Sequence, residues 1–70
     1  MAAATRREGG ITDYAKAWLA QDIQVGYHEN MAEWIGFFVQ NKPSQLAALK
    51  RLYPKEYNVA MDVWQTIGGV

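Results

Sequence analysis

His28 is the only histidine in this 70-residue chain, and it is the first residue to consider for metal binding or acid–base catalysis. The chain contains no cysteine, so a stable zinc site would need His28 together with carboxylate ligands. The adjacent Glu29 cannot join it on one helix face, because residues on one face lie three or four positions apart. No hydroxyl residue or acid has a spacing to His28 that suggests a nucleophilic triad. We therefore expect no metal site and no catalytic histidine.

The other sequence patterns that carry chemistry are also missing. No glycine-rich loop is followed by a lysine, so a phosphate-binding loop is not predicted. The seven acidic residues include no pair in an apolar stretch that would raise a carboxyl pKa for glycosidase-type chemistry. We predict a non-enzymatic protein with no catalytic residue, no cofactor and no small-molecule substrate.

The segment that the rest of the chain must accommodate is the apolar hexapeptide WIGFFV at residues 34–39. If it is helical, its side chains point in every direction, because one turn takes 3.6 residues. Gly36 costs a helix interior about 1 kcal/mol relative to alanine, and it favours the close approach of another helix backbone. Two interpretations are open. The segment is the centre of the chain's own core, or one side of it contacts a partner chain.

Under the second interpretation, the predicted interface has an apolar part and a charged part. Aromatic side chains are enriched at interface centres, and the chain has three tryptophans, four tyrosines and two phenylalanines. The apolar part is assigned to Trp34, Ile35, Phe37 and Phe38. The charged part is assigned to the acids Asp22, Glu29 and Glu33 and to the bases Lys50 and Arg51.

Charge is unevenly distributed along the chain, although the formal net charge is zero. Residues 8–33 contain five acids and one base, whereas residues 42–55 contain four bases and no acid. Either an acidic and a basic arm of one chain lie side by side, or neighbouring copies associate head to tail. Nucleic-acid binding is disfavoured because the sequence has no basic excess, and it would depend on Lys50 and Arg51.

Nothing in the sequence indicates a membrane protein or an exported one. No apolar run approaches the roughly 20 residues of a transmembrane helix, and the first half is too acidic to favour an anionic membrane surface. In residues 1–10 the charges follow the apolar residues, which is the reverse of a signal peptide. We expect a cytoplasmic protein, or a virion protein if the source is viral, since small neutral proteins without cysteine are common among viral proteins.

Helical spacing predicts an all-α fold, a small bundle of three to four short helices. Residues 1–10 are expected to form a flexible N-terminal arm, and residues 11–70 a single helical domain. Thr12 is a candidate N-cap, Pro43 or Ser44 is placed to begin the third helix, and Pro54 lies at or just before the start of the fourth. The apolar pattern continues across Gly26, whereas a capping box at residues 30–33 favours a break. We favour a break or kink at residues 26–30.

The last predicted helix has a clear apolar stripe and places Glu56 on one of its other faces.

The apolar hexapeptide, the aromatic residues and the lack of chemical motifs together predict a protein–protein interaction protein. The favoured form is a small structural subunit of a larger, self-associating assembly. The alternatives are a small regulatory or inhibitory binder of another protein and a weak nucleic-acid-binding helical module.

Overall fold

The computed structural model describes residues 1–69 and shows five α-helices within them. They are α1 (Ala2–Glu8), α2 (Asp13–Gln21), α3 (Ile23–Gln40), α4 (Pro43–Leu52) and α5 (Pro54–Thr66). The predicted all-α class is confirmed, but the count is five helices rather than three or four. The additional helix lies in residues 1–10.

α1 occupies the segment predicted to be a flexible arm, so that prediction is wrong. Its alanine-rich start has a high helix propensity, yet seven residues are too few for a helix that stands alone in water. Tertiary packing supplies the missing stability, because α1 lies against α3 and α5 and buries Ala4 and Thr5. α1 ends at Gly9, whose φ of 87° costs glycine little.

α2 and α3 pack against each other, and the single residue Asp22 connects them. Asp22 ends α2 and caps α3, and its carboxylate accepts hydrogen bonds from the backbone N–H groups of Gln24 (3.1 Å) and Val25 (3.3 Å). α3 then runs without interruption through Gly26, so the predicted break at residues 26–30 is wrong. A Cβ at Gly26 would lie 2.6 Å from the Leu19 Cα, and glycine therefore allows α2 to approach α3 closely.

The predicted capping box at residues 30–33 is also wrong, because these residues lie inside α3. The side chain of Asn30 is fully buried, and Glu33 accepts a hydrogen bond from the hydroxyl of Thr12 (2.9 Å). Three other boundary predictions are confirmed. The Thr12 side chain caps α2 by accepting from the Ala15 N–H (3.0 Å), and α4 and α5 begin with Pro43 and Pro54.

The apolar core lies between α3 and α5. Trp34 and Phe38 of α3 and Ala60 of α5 are buried at its centre. Phe38 is in contact with two aromatic rings of α5, Tyr57 and Trp64, with ring centroids 5.9 Å apart in both pairs. α4 contributes partly buried leucines to this core but has no fully buried residue, so it covers the core from one side.

Candidate functional site

The predicted contact segment at residues 34–39 is divided between the core and the surface. Trp34 and Phe38 are buried in the chain's own core, with exposed fractions of 0% and 6%, so neither offers a broad surface to a partner. Ile35 and Phe37 are half-buried, and Val39 is 66% exposed. The physical reason is the helical spacing, since Trp34 and Phe38 lie four residues apart on the face that meets α5.

Gly36 does not serve the purpose predicted for it within the described part of the chain. A Cβ placed at Gly36 would have no atom within 4 Å, other than its own helix backbone and chain neighbours. No helix backbone of residues 1–69 therefore approaches α3 at this point. The glycine that does permit a close helix approach is Gly26, ten residues earlier.

The charged residues assigned to the interface lie on several elements rather than on one face. Lys50 and Arg51 are exposed in the last turn of α4, and the Lys50 Nζ lies 5.2 Å from the centre of the Tyr57 ring. Asp22 is exposed and caps α3, while Glu29 and Glu33 are half-buried on α3. Glu33 and Lys50 thus already have contacts within the chain. A role for these residues in an interface stays a prediction.

An open cleft lies where α3 and α5 both end. Its volume is about 390 Å³, and its lining consists of Phe38, Val39, Asn41, Trp64 and Gly69. The Phe38 and Trp64 rings stack with an interplanar angle of 23° and form an aromatic wall. Ile67 is 62% exposed and follows Trp64 by three residues, which places it on the neighbouring side of the α5 terminus. We call Val39, Trp64 and Ile67 the apolar end surface.

At the opposite end of the core lies a buried polar group that sequence analysis places wrongly. Glu56 is predicted to lie away from the apolar stripe, but its side chain is fully buried beneath α1. Its Oε1 accepts hydrogen bonds from Asn30 Nδ2 (2.6 Å) and Trp34 Nε1 (3.0 Å). Asn30 Nδ2 also donates to Thr5 Oγ1 (3.3 Å). We call Thr5, Asn30, Trp34 and Glu56 the buried carboxyl cluster.

The buried carboxyl cluster joins α1, α3 and α5, and further polar contacts of α1 reinforce it. The Glu8 carboxylate accepts from the backbone N–H groups of Lys55 (2.9 Å) and Glu56 (2.7 Å), so the last residue of α1 caps the start of α5. A carboxylate is favourable there because the N-terminus of a helix carries partial positive charge. Arg6 Nε donates to the Tyr27 hydroxyl (3.0 Å) on α3.

The environment of Glu56 alters its protonation. Burial raises the pKa of Glu56 above its ordinary value, and the neighbouring Glu8 carboxylate raises it further. Hydrogen bonds from Trp34 and Asn30 and the amino group of Met1 act in the opposite direction. Glu56 Oε2 has no hydrogen-bond partner among the described residues, so an ionised carboxylate is poorly satisfied. The carboxyl group of Glu56 has no contact with solvent, and its hydrogen bonds connect α5 to α3.

The burial of Asn30 and Glu56 corresponds to a pattern in the sequence. Asn30 lies four residues before Trp34, and Glu56 lies four residues before Ala60. Each polar residue therefore shares a helix face with a core residue. Two polar side chains in phase with two apolar stripes predict a buried hydrogen-bonded pair, because buried polar groups need partners.

Among residues 1–69, no group of three or more His, Cys, Asp or Glu side chains is arranged to hold a metal ion. His28, the residue first considered for such a site, is exposed on α3. No helix in the described range is both long enough and apolar enough to span a bilayer. Comparisons of the chain with protein-family models, with curated proteins and with solved structures produce no match.

Proposed function

We propose that this chain is a non-enzymatic protein-interaction protein, and that it acts as a small structural subunit of a larger assembly of its own copies. The observation that supports the proposal is the open aromatic cleft between the ends of α3 and α5. Two apolar side chains beside it, Val39 and Ile67, are more than 60% exposed. The apolar end surface is the proposed contact.

The physical argument begins with the cost of apolar surface in water. Burying such surface is worth about 25 cal/mol for each Å² removed from water. Single exposed apolar residues are ordinary, but Val39 and Trp64 line the same cleft, so the apolar surface there involves more than one residue. Trp64, which is partly exposed, supplies an aromatic side chain of the kind enriched at the centres of protein interfaces. The apolar end surface therefore suits a protein partner.

The distribution of charge supports copies of the same chain as the partner. Lys50 and Arg51 are exposed on α4, while Asp22 is exposed at the start of α3 and Glu29 is partly exposed further along it. Unlike surfaces of one chain can meet in a heterologous contact, and such contacts build rings or filaments. Attraction between acidic α3 and basic α4 surfaces would set the orientation of neighbouring copies.

The experiment compares two substitutions on exposed sites of α3. Val39→Lys places a charge beside the cleft, and a cation near the helix C-terminus is compatible with the helix dipole. The matched control is Ile23→Glu, because Ile23 is 50% exposed at the other end of α3 and an anion suits that terminus. The two sites are roughly 24 Å apart along the helix.

Light scattering after size exclusion, over a dilution series, measures the mass of each protein. We expect multimers for the unsubstituted chain and for Ile23→Glu, and a folded monomer for Val39→Lys. Circular dichroism verifies that the helices persist in both variants. Equal multimer masses for Val39→Lys and Ile23→Glu would reject the apolar end surface as the contact.

A regulatory binder of another protein is the second candidate, since the same cleft could receive a foreign side chain. It predicts a monomer at every dilution and a bound partner from the source cell that Val39→Lys releases and Ile23→Glu retains. Nucleic-acid binding would depend instead on the exposed Lys50 and Arg51. It predicts an affinity that falls steeply with salt and is lost when both residues are changed to alanine.

A further inference from the structure

α1 is attached to the bundle by contacts that are remote in sequence. Its three polar attachments to other helices start from Thr5, Arg6 and Glu8, and their partners lie 21 to 48 residues further along the chain. All of these partners belong to α3 and α5, which form a groove beneath α1. Contacts of this kind do not require that α1 and the groove belong to the same chain.

The connection between α1 and α2 has one clear pivot. Gly9 has a φ of 87° and open space around the position of a Cβ. The next residue, Gly10, is buried, and a Cβ there would lie 2.9 Å from the Lys16 backbone nitrogen. Gly10 is therefore held against α2, so that rotation of α1 away from the bundle must occur at Gly9.

Release of α1 would leave a groove with specific chemical requirements. The backbone N–H groups of Lys55 and Glu56 would lose a carboxylate, the Asn30 amide would lose a hydroxyl acceptor, and the Tyr27 hydroxyl would lose a guanidinium donor. These donors and acceptors are the polar groups that a segment docking in the groove must match. The segment that satisfies them is a helix with the sequence Thr-Arg-Arg-Glu, which a second copy of this chain presents.

We propose that α1 exchanges between copies, so that α1 of one chain docks in the α3–α5 groove of another. The exchanged contacts are the same as those within one chain, so the balance is set by the short hinge at Gly9 and by protein concentration. This interface lies at the α1 end of the core, away from the apolar end surface. The exchange does not depend on the proposed function.

The test uses Val39→Lys as the background, because that change is expected to remove association through the apolar end surface. Equal amounts of isotope-labelled and unlabelled chains are mixed at high concentration, partly unfolded with heat and cooled. Isotope-filtered NMR then detects contacts between different chains only. We expect contacts between Thr5 and Asn30 and between Arg6 and Tyr27 across chains. Their absence after this treatment would overturn the proposal.

A matched pair of hinge variants provides the second measurement. Deletion of Gly9 should hinder α1 from turning back onto its own chain and shift the mass from one chain towards two. Insertion of one glycine after Gly9 should keep the monomer, because longer hinges disfavour exchange. A folded monomer for the deletion variant, or a dimer that lacks contacts between Thr5 and Asn30 of different chains, would contradict the exchange. If the deletion variant does not fold, the labelled mixture decides the matter alone.

Discussion

At the scale of single residues, Glu56 has the largest electrostatic consequence. Burial raises its pKa above the ordinary value of 4.5, and the Glu8 carboxylate adds to this. Because its pKa is higher in the folded chain than in the unfolded chain, folding favours the protonated form. Glu56 therefore contributes stability that is fully present below the unfolded pKa. That contribution is lost as the pH rises through the folded-state pKa.

We predict that Glu56→Gln removes this dependence on pH. The glutamine Oε1 can accept the same hydrogen bonds from Asn30 and Trp34, and an amide does not ionise. As the pH rises from the ordinary pKa of 4.5 through the higher folded-state pKa, the unsubstituted chain should lose unfolding free energy relative to the variant. Urea unfolding at several pH values in this interval measures the difference.

The control for Glu56→Gln is Asp13→Asn, which changes an exposed acid in the first turn of α2. Its unfolding free energy should follow that of the unsubstituted chain across the interval. Parallel curves for Glu56→Gln and the unsubstituted chain would show that Glu56 is not buried in its neutral form.

At the scale of helices, α3 contains two glycines with opposite roles. A side chain at Gly26 would collide with the Leu19 backbone, which cannot move aside as a flexible side chain could. We predict that Gly26→Ala destabilises the fold by about 1–3 kcal/mol. Gly36→Ala meets no atom within 4 Å and should stabilise the chain by about 1 kcal/mol through helix propensity.

Thermal or urea unfolding of the two alanine variants checks this prediction, and each serves as the control for the other. Both remove a glycine from the same helix, so the propensity gain is shared and the collision is specific to Gly26. Stabilisation in both variants would mean that α2 does not lie as close to α3 at Gly26 as the structure shows.

The helix boundaries show what can be predicted from sequence. Helix starts can be predicted at Pro43, Pro54 and Thr12, because each residue acts through its own backbone or a nearby N–H group. The residues 30–33 satisfy a capping pattern equally well, but Asn30 has better partners in Thr5 and Glu56, which lie about 25 residues away. Sequence patterns of neighbouring residues cannot rank a local hydrogen bond against a distant one. The predicted break at residues 26–30 is wrong for this reason.

α1 illustrates the same limit, since its stability comes from another helix. Glu8 caps α5 across a separation of 47 residues, so no local pattern could reveal the cap. We predict that Glu8→Ala costs about 1 kcal/mol, as the loss of a helix cap does. Arg7→Ala, on an exposed neighbour, should cost less. Urea unfolding in the Glu56→Gln background, where residue 56 does not ionise, isolates the cap, and equal costs would argue against it.

At the scale of the whole molecule, α3 connects two unlike ends of one core. Asn30 lies at the end that α1 closes, and Phe38 lies at the end where the cleft opens, roughly 12 Å further along the helix. The hexapeptide at residues 34–39 therefore belongs both to the core and to the surface. The sequence alone does not decide whether residues 34–39 are core or surface, because that depends on how far α5 and α4 extend over α3.

The small size of the chain leads to a prediction about how its stability depends on protein concentration. A domain of about 70 residues buries too little surface to be more than marginally stable, and binding between folded copies adds stability by mass action. We predict that the melting temperature of the unsubstituted chain rises by several degrees when its concentration is raised about a hundredfold. Calorimetry or circular dichroism measures the shift.

In the same series, Val39→Lys should melt at one temperature at all concentrations where α1 does not exchange, because its altered end surface no longer binds other copies. Ile23→Glu should behave as the unsubstituted chain does, since it leaves the apolar end surface intact. If the melting temperature of Val39→Lys also depends on concentration, another contact couples association to folding. If that contact is α1 exchange, inserting one glycine after Gly9 should remove it and restore a constant melting temperature.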